Sequence, residues 1–119
     1  MAVKQKAFFT ITRHALLTIQ VIHNYSKEEY GDKIADQYIA TLYKTIMLAA
    51  ASPDLGRKYR AAPFLMLPTG KHFIIYDKTK NGIVILAILH QSQHIEDIIQ
   101  NMKARYISEI AAIREKHKQ

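Results

Sequence analysis

An α+β fold, in which a hairpin of two helices packs on a β-sheet, is predicted for this chain of 119 residues. Three observations predict it: two consecutive segments with apolar residues at helical spacing, alternating residues around an Asn-Gly turn, and a final segment with helical spacing. The element order is β-α-α-β-β-β(-β)-α, and we expect the sheet to be antiparallel. The length favours a single domain over residues 1–119.

The first strand and the helical hairpin follow from the N-terminal half of the chain. Apolar and β-branched residues predict a strand over about residues 7–12. The first helix should end at Gly31, and Asp32 should cap the second helix, which Pro53 stops by about Ser52. The buried face of the first helix is expected to contain Ala15, Ile19, Ile22 and Ser26, widened by Leu16 and Tyr25. The second helix has a stripe formed by Ala35, Tyr38, Ile39, Leu42, Ile46 and Ala49.

The sheet is predicted from the second half of the chain. Short strands are expected over about residues 57–61 and 64–67, with Pro63 and Pro68 as interruptions. In the next strand, residues 71–77, the side chains of His72, Ile74 and Tyr76 share one face, and those of Phe73 and Ile75 share the other.

The last strand and the last helix complete the predicted architecture. Asn81 and Gly82 form a turn signal, so the following strand should pair antiparallel with the preceding one. Residues 83–89 are apolar on both faces, which predicts a strand in the middle of the sheet, covered on one side by the helices. A helix should begin at about residue 95, and part of its apolar stripe is expected to remain free for a partner. That stripe consists of Ile95, Ile98, Ile99, Met102, Tyr106, Ile110 and Ile113.

The composition restricts the kinds of chemistry that the chain supports. There are 17 lysines and arginines against 10 aspartates and glutamates, so the formal net charge is +7, and acidic partners are expected. Because there is no cysteine, the chain forms no disulfide and no thiolate metal site. No apolar stretch in the sequence reaches the length of a membrane span.

Two histidines are the strongest candidates for chemistry. If the hairpin is regular, Lys71 and His72 lie opposite Leu89 and His90, so the two imidazoles become neighbours. A histidine at a strand end more often bonds a backbone group than performs catalysis, so no catalytic residue is predicted. His90 and His94 have a metal spacing only if they are helical, and no third ligand is nearby, so neither a metal nor another cofactor is predicted.

Several ordered motifs resemble those of the ParE branch of the ParE/RelE toxin superfamily, over about residues 8–99. The matching residues are "AxxxIxxIxxY" (Ala15, Ile19, Ile22, Tyr25), "YG" (Tyr30, Gly31), "AxxY" (Ala35, Tyr38), "SPDLGR", "GKHFIIYD" and "IVILAILHQSQ". The resemblance implies a cytoplasmic toxin of a type II toxin–antitoxin system, of the kind linked to plasmid stabilisation. Such a toxin inhibits DNA gyrase by binding it, and a cognate antitoxin neutralises it.

The resemblance also implies partners and a binding surface. Besides gyrase and the antitoxin, a homodimer or a toxin–antitoxin hetero-oligomer is expected, without a membrane. We expect the antitoxin to cover the outer face of the helical hairpin and the groove of the sheet. The residues expected to bind the target are Arg57, Lys58, Arg60, Lys71, His72, Tyr76 and His90.

Two alternatives remain open at this point. The RelE branch cuts messenger RNA on the ribosome, and that reaction would require an acid, a base and cations. Its candidate residues here are His72, His90, Tyr76 and Arg57. The second alternative is an inactive relative that binds only the antitoxin. It follows from three departures from the family pattern. Arginine is usual in the stretch that here consists of Phe64, Leu65, Met66 and Leu67, and arginine is also usual at the position of Ala87. Many members have aspartate where this chain has His94.

Overall fold

The structure, a computed structural model, describes residues 8–58 and 63–105. Within these ranges no helix is both long enough and apolar enough to cross a membrane. The elements are β1 (Phe8–Ile11), α1 (Arg13–Tyr30), α2 (Asp32–Ala51), β2 (Arg57–Lys58), β3 (Leu65–Thr69), β4 (His72–Thr79) and β5 (Gly82–His90). A third helix, α3, begins at residue 95 and is described up to residue 105. This order confirms the predicted α+β class.

The five strands form one sheet in the order β1-β5-β4-β3-β2. The pairs β2–β3, β3–β4 and β4–β5 are antiparallel. β1, however, pairs parallel with β5, so the sheet is mixed and not wholly antiparallel as expected. The reason is that the helical hairpin returns the chain to the same end of the sheet. As predicted, the apolar β5 lies between two neighbouring strands.

Each face of the sheet carries its own apolar cluster. The hairpin-side core lies beneath α1 and α2 and includes Ala15, Ile19, Ile22, Leu42, Ile46, Ile74, Tyr76, Ile83, Ile85 and Ile88. The α3-side core lies on the opposite face and contains Phe64, Ile75, Ala87, Leu89 and Ile99. Ile95, Ile98 and Met102 of α3 pack against this second cluster. The described part of α3 therefore buries its apolar stripe on the sheet.

One extra residue in β5 changes which residues of the strand point to each of the two cores. Ile75 pairs with Ala87, whereas the next residue, Tyr76, pairs with Ile85, so Leu86 forms a β-bulge. A bulge inverts the alternation of side chains along a strand. Ile83 and Ile85 therefore join the hairpin-side core before the bulge, and Ile88 joins it after the bulge.

Several local predictions were wrong. Leu16 and Tyr25 are exposed and do not widen the buried face of α1. Gly31, with φ of 89°, caps α2 without a side-chain bond, while Asp32 is the first helical residue and pairs with Lys27 at 3.4 Å. Glycine adopts this backbone conformation without steric cost.

Pro68 also departs from its prediction, because it lies inside β3 and does not interrupt it. β2 pairs only with Leu65 and Met66, so within the described residues Pro68 has a strand neighbour on one side alone, at Phe73. A proline is tolerated where its missing N–H would face away from the ladder. The remainder of the strand predicted over residues 57–61, and the last three members of the predicted helix stripe, lie outside the described residues.

Candidate functional site

The two candidate histidines lie at one end of the sheet, where β4 begins and β5 ends. His72 pairs directly with His90 in the β4–β5 ladder, so the predicted neighbourhood is confirmed. The ring centroids are 4.9 Å apart, and the ring planes meet at 86°. Both side chains lie on the face of the sheet that α2 covers, because Tyr38 of α2 contacts His72.

Tyr38 is the third member of this group, and it was predicted only as a helix-packing residue. Its hydroxyl oxygen lies 2.6 Å from Nδ1 of His72 and accepts a hydrogen bond of 3.1 Å from the N–H of Lys71. The hydroxyl proton is then available to His72. No sequence signal connects Tyr38 with His72, since 34 residues separate them.

The backbone of the β3–β4 turn is shaped around Tyr38. Gly70 has φ of +58°, and a Cβ atom there would lie 2.7 Å from the Tyr38 hydroxyl oxygen. The turn is also bonded to the end of β5, because the N–H of Gln91 donates to the carbonyl of Lys71 at 2.9 Å. Helix α2, the turn and β5 thus fix the position of Lys71.

His90 is held from its own side by the residues that follow β5. Its Nδ1 accepts a 3.0 Å hydrogen bond from the N–H of Ser92 and lies 2.7 Å from the Ser92 hydroxyl oxygen. The N–H of His90 donates to Oε1 of Gln93 at 2.7 Å. Since Nδ1 accepts the Ser92 N–H, the neutral ring of His90 carries its proton on Nε2.

The environment of His72 disfavours the charged imidazolium. Burial, and secondarily repulsion from His90, lower the pKa of His72 from 6.5 to about 4. His72 is consequently neutral at pH 7, so its Nδ1 can accept a hydrogen bond from the Tyr38 hydroxyl. A neutral imidazole beside a second imidazole can accept a proton, but both rings already have positioning contacts.

Tyr76, predicted both as a target-binding residue and as a nuclease candidate, lies in the hairpin-side core. Its side chain is 0% exposed. Its hydroxyl donates to the carbonyl of Pro53 at 2.9 Å and accepts from the N–H of Gly56 at 2.8 Å. Burial raises the pKa of Tyr76. Because both hydrogen-bonding roles of the hydroxyl are filled inside the protein, Tyr76 anchors the turn after α2 and offers nothing to a partner.

The basic candidates do not form one patch with the histidines. Arg57 and Lys58 are exposed on the short strand β2, opposite Met66 and Leu65. Met66 packs on the α3 side and Leu65 on the hairpin side, so the two basic side chains leave the edge strand on opposite faces. Lys71 alone adjoins the histidines, and Arg60 lies outside the described residues.

A metal centre is not found at this end of the sheet. Over residues 8–58 and 63–105 there is no group of three or more His, Asp or Glu side chains that could hold a metal ion. His90 ends β5 and His94 precedes α3, so the two are not on one helix.

Comparisons with known proteins place the chain in a family. Residues 9–95 match the family described as "ParE toxin of type II toxin-antitoxin system, parDE". No curated protein matches the chain. A solved structure described as "Chromosomal ParDE TA system from P. aeruginosa" is similar to it, with a TM-score of 0.64 and 15% sequence identity, over 73% of this chain and 98% of that one. This structural likeness supports the fold, and the match over residues 9–95 shows that the chain belongs to the ParE toxin family of type II toxin–antitoxin systems.

Proposed function

We propose that this protein inhibits DNA gyrase by binding it, and that a cognate antitoxin neutralises the inhibition. The observation that carries the proposal is the family match, which spans both helices of the hairpin and all five strands. The antitoxin is the partner that a type II toxin requires.

Lys71 is the residue that we assign to the centre of the gyrase contact. It is exposed and forms no ion pair within the described residues. Tyr38, Gly70 and Gln91 fix its backbone, so little conformational freedom is lost when a partner binds. His72 and His90 lie beside this turn, at the start of β4 and the end of β5. Arg57 and Lys58 supply more distant positive charge.

The test is inducible expression without antitoxin, with growth followed beside a supercoiling assay on purified gyrase. The proposal predicts growth arrest together with loss of supercoiling. Lys71→Glu should weaken inhibition at least about tenfold, since it places a negative charge against an acidic surface. Lys44→Glu is the matched control, because Lys44 is an exposed lysine of α2 and not a residue of the turn. Normal supercoiling by gyrase at high toxin concentration would overturn the proposal.

Ribosome-dependent cleavage of messenger RNA is the second candidate, and one observation favours it. His72 and His90 are adjacent, with ring centroids 4.9 Å apart, so that one imidazole could serve as a base and the other as an acid. RNA cleavage requires such a base for the 2′-hydroxyl and an acid for the leaving oxygen. Growth arrest with normal supercoiling, and with cleavage that His72→Gln abolishes, would favour the nuclease.

An inactive relative that binds only the antitoxin is the third candidate. Ala87, at a position where arginine is usual in the family, lies in the α3-side core, and so does Phe64, one of the four residues of the other stretch in which the family usually has an arginine. Antitoxin binding without growth arrest, at expression levels confirmed by immunoblotting, would favour this candidate over the other two.

A further inference from the structure

Helix α1 has an apolar stripe on the side that faces away from the sheet. Leu17, Val21 and Tyr25 follow one another at four-residue intervals and are 50%, 66% and 60% exposed. Residues four apart in a helix lie on the same side of it. The buried residues of α1 form a separate face, which belongs to the hairpin-side core. The stripe is therefore available to another molecule, and we call it the α1 stripe.

The outward side of α2 has a different character. Its exposed apolar residues Ile34 and Leu48 are far apart along the helix. Between them, on the same side, lie the exposed polar residues Gln37, Thr41 and Lys44. In the described part of the hairpin, the continuous exposed apolar surface thus belongs to α1, and contiguous surfaces of this kind mark interaction sites.

The charges at the two ends of the α1 stripe are opposite in sign. Arg13 and His14 lie in the first turn of α1, Glu28 and Glu29 lie in the last turn, and all four are exposed. Over residues 8–58 and 63–105, the arginine and the two glutamates form no ion pair, whereas Lys27 of the last turn is already paired within the chain. A single helix is stabilised by the reverse order, with acidic residues at its N-terminus and basic residues at its C-terminus. The charges therefore do not serve α1 alone.

We propose that α1 packs antiparallel against α1 of a second copy of this chain, around a two-fold axis at Val21. In this dimer Val21 meets its own copy, and Leu17 meets Tyr25. Arg13 lies opposite Glu29. Because the two-fold axis uses the same surface of both copies, each of the unlike pairs occurs twice.

Charge complementarity identifies both the occupant and its direction. A parallel pair of helices would place Arg13 beside Arg13 and Glu29 beside Glu29, and these like charges repel. The antiparallel pair removes both repulsions, and it also brings His14 opposite Glu28. Each charged end of α1 then lies beside the end of the partner helix whose dipole it complements. The inference does not depend on the proposed function, because it involves neither gyrase nor the antitoxin.

Sedimentation equilibrium of the purified chain is the first test. A contact between single helices is at the low end of interface sizes, so the mass should rise from one chain towards two between micromolar and millimolar concentrations. Val21→Glu should weaken the dimer at least about tenfold, because it places two carboxylates together at the axis. Met47→Glu, at an exposed position of α2, is the matched control and should leave the dimer unchanged. A monomer at millimolar concentration, or an equal effect of the two variants, would overturn the inference.

Charge reversal tests the pairing at the ends of the stripe. Arg13→Glu and Glu29→Arg should each weaken the dimer about two- to fivefold, and the double variant should recover the affinity. Both substitutions improve the interaction of α1 with its own dipole, so unfolding of the helix does not explain a loss of association. Failure of the double variant to recover the affinity would contradict the proposed pairing.

Cross-linking tests the direction of the two helices. The chain has no cysteine, so introduced cysteines react without background. A short bismaleimide should link Leu17→Cys to Tyr25→Cys in an equimolar mixture more efficiently than it links either variant to itself. In the antiparallel dimer the two copies of position 17 are about 12 Å apart along the helix axis. Preferential linking of Leu17→Cys to itself would indicate parallel helices and would overturn the inference. Protection of Val21 from hydrogen exchange only in a complex with the antitoxin would assign the α1 stripe to the antitoxin and would overturn it as well.

Discussion

Tyr38 joins the helical hairpin to the β3–β4 turn through its hydroxyl group. This hydroxyl contacts both Nδ1 of His72 and the N–H of Lys71. We expect Tyr38→Phe to lower the free energy of unfolding by about 1 kcal/mol, because the partly buried Nδ1 of His72 and the exposed N–H of Lys71 both lose their partner. Chemical denaturation measures this change. Tyr25→Phe is the control, since Tyr25 is exposed on α1, and it should have little effect.

His72 makes the stability of the protein depend on pH. Its folded-state pKa of about 4 lies below the ordinary value of 6.5, so between these values the unfolded chain binds more protons. The stabilisation from the neutral ring is complete above pH 6.5 and is lost as the pH falls toward 4. Urea denaturation between pH 4 and pH 7 should show this decline. In His72→Gln the decline should be smaller, and an unchanged pH profile would contradict the assignment.

At the scale of elements, the parallel β1–β5 pair depends on a glycine. A Cβ atom at Gly82 would lie 1.9 Å from the carbonyl oxygen of Phe8, which is a backbone atom. We expect Gly82→Ala to separate the start of β1 from β5 and to cost about 1–3 kcal/mol of stability. Amide exchange of Thr10 and Thr12 should become faster. Asn81→Ala, in the adjacent turn, is the control and should leave these two amides protected.

Helix α3 covers Ala87, the position at which the family usually has an arginine. Ala87 is 1% exposed, opposite Ile75 and within the same cluster as Ile99 of α3. Ala87→Arg would bury an unpaired charge beneath α3, so we expect it to destabilise the fold by more than about 3 kcal/mol. Thermal unfolding tests this against Met47→Arg, at an exposed position of α2. Increased toxicity with unchanged stability would show that α3 moves away from this face.

At the scale of the whole molecule, the net charge of +7 should govern association with acidic partners. The Debye length falls from about 10 Å at 0.1 M salt to about 3 Å at 1 M. We therefore expect the association rate with gyrase to fall at least about tenfold over this range, with a smaller change in the dissociation rate. Stopped-flow mixing separates the two rates. An association rate independent of salt would show that the basic residues do not guide the encounter.

The sequence by itself determined the helices, the hairpin and the neighbourhood of the two histidines. These features depend on local information: helical spacing places Ala15, Ile19 and Ile22 on one face, and the tight turn between β4 and β5 brings the start of β4 beside the end of β5. The family motifs are likewise visible in the sequence, because they follow this same core pattern in order along the chain.

Only the tertiary structure decided what surrounds these residues. Spacing could not show that Tyr38 bonds His72, that Tyr76 is enclosed by the turn after α2, or that α3 covers Ala87. The parallel direction of β1 and the bulge at Leu86 were also hidden, since both depend on how distant segments meet. The physical reason is that burial and hydrogen-bond partners are properties of contacts between elements, whereas periodicity reports only the face of an element on which a side chain lies.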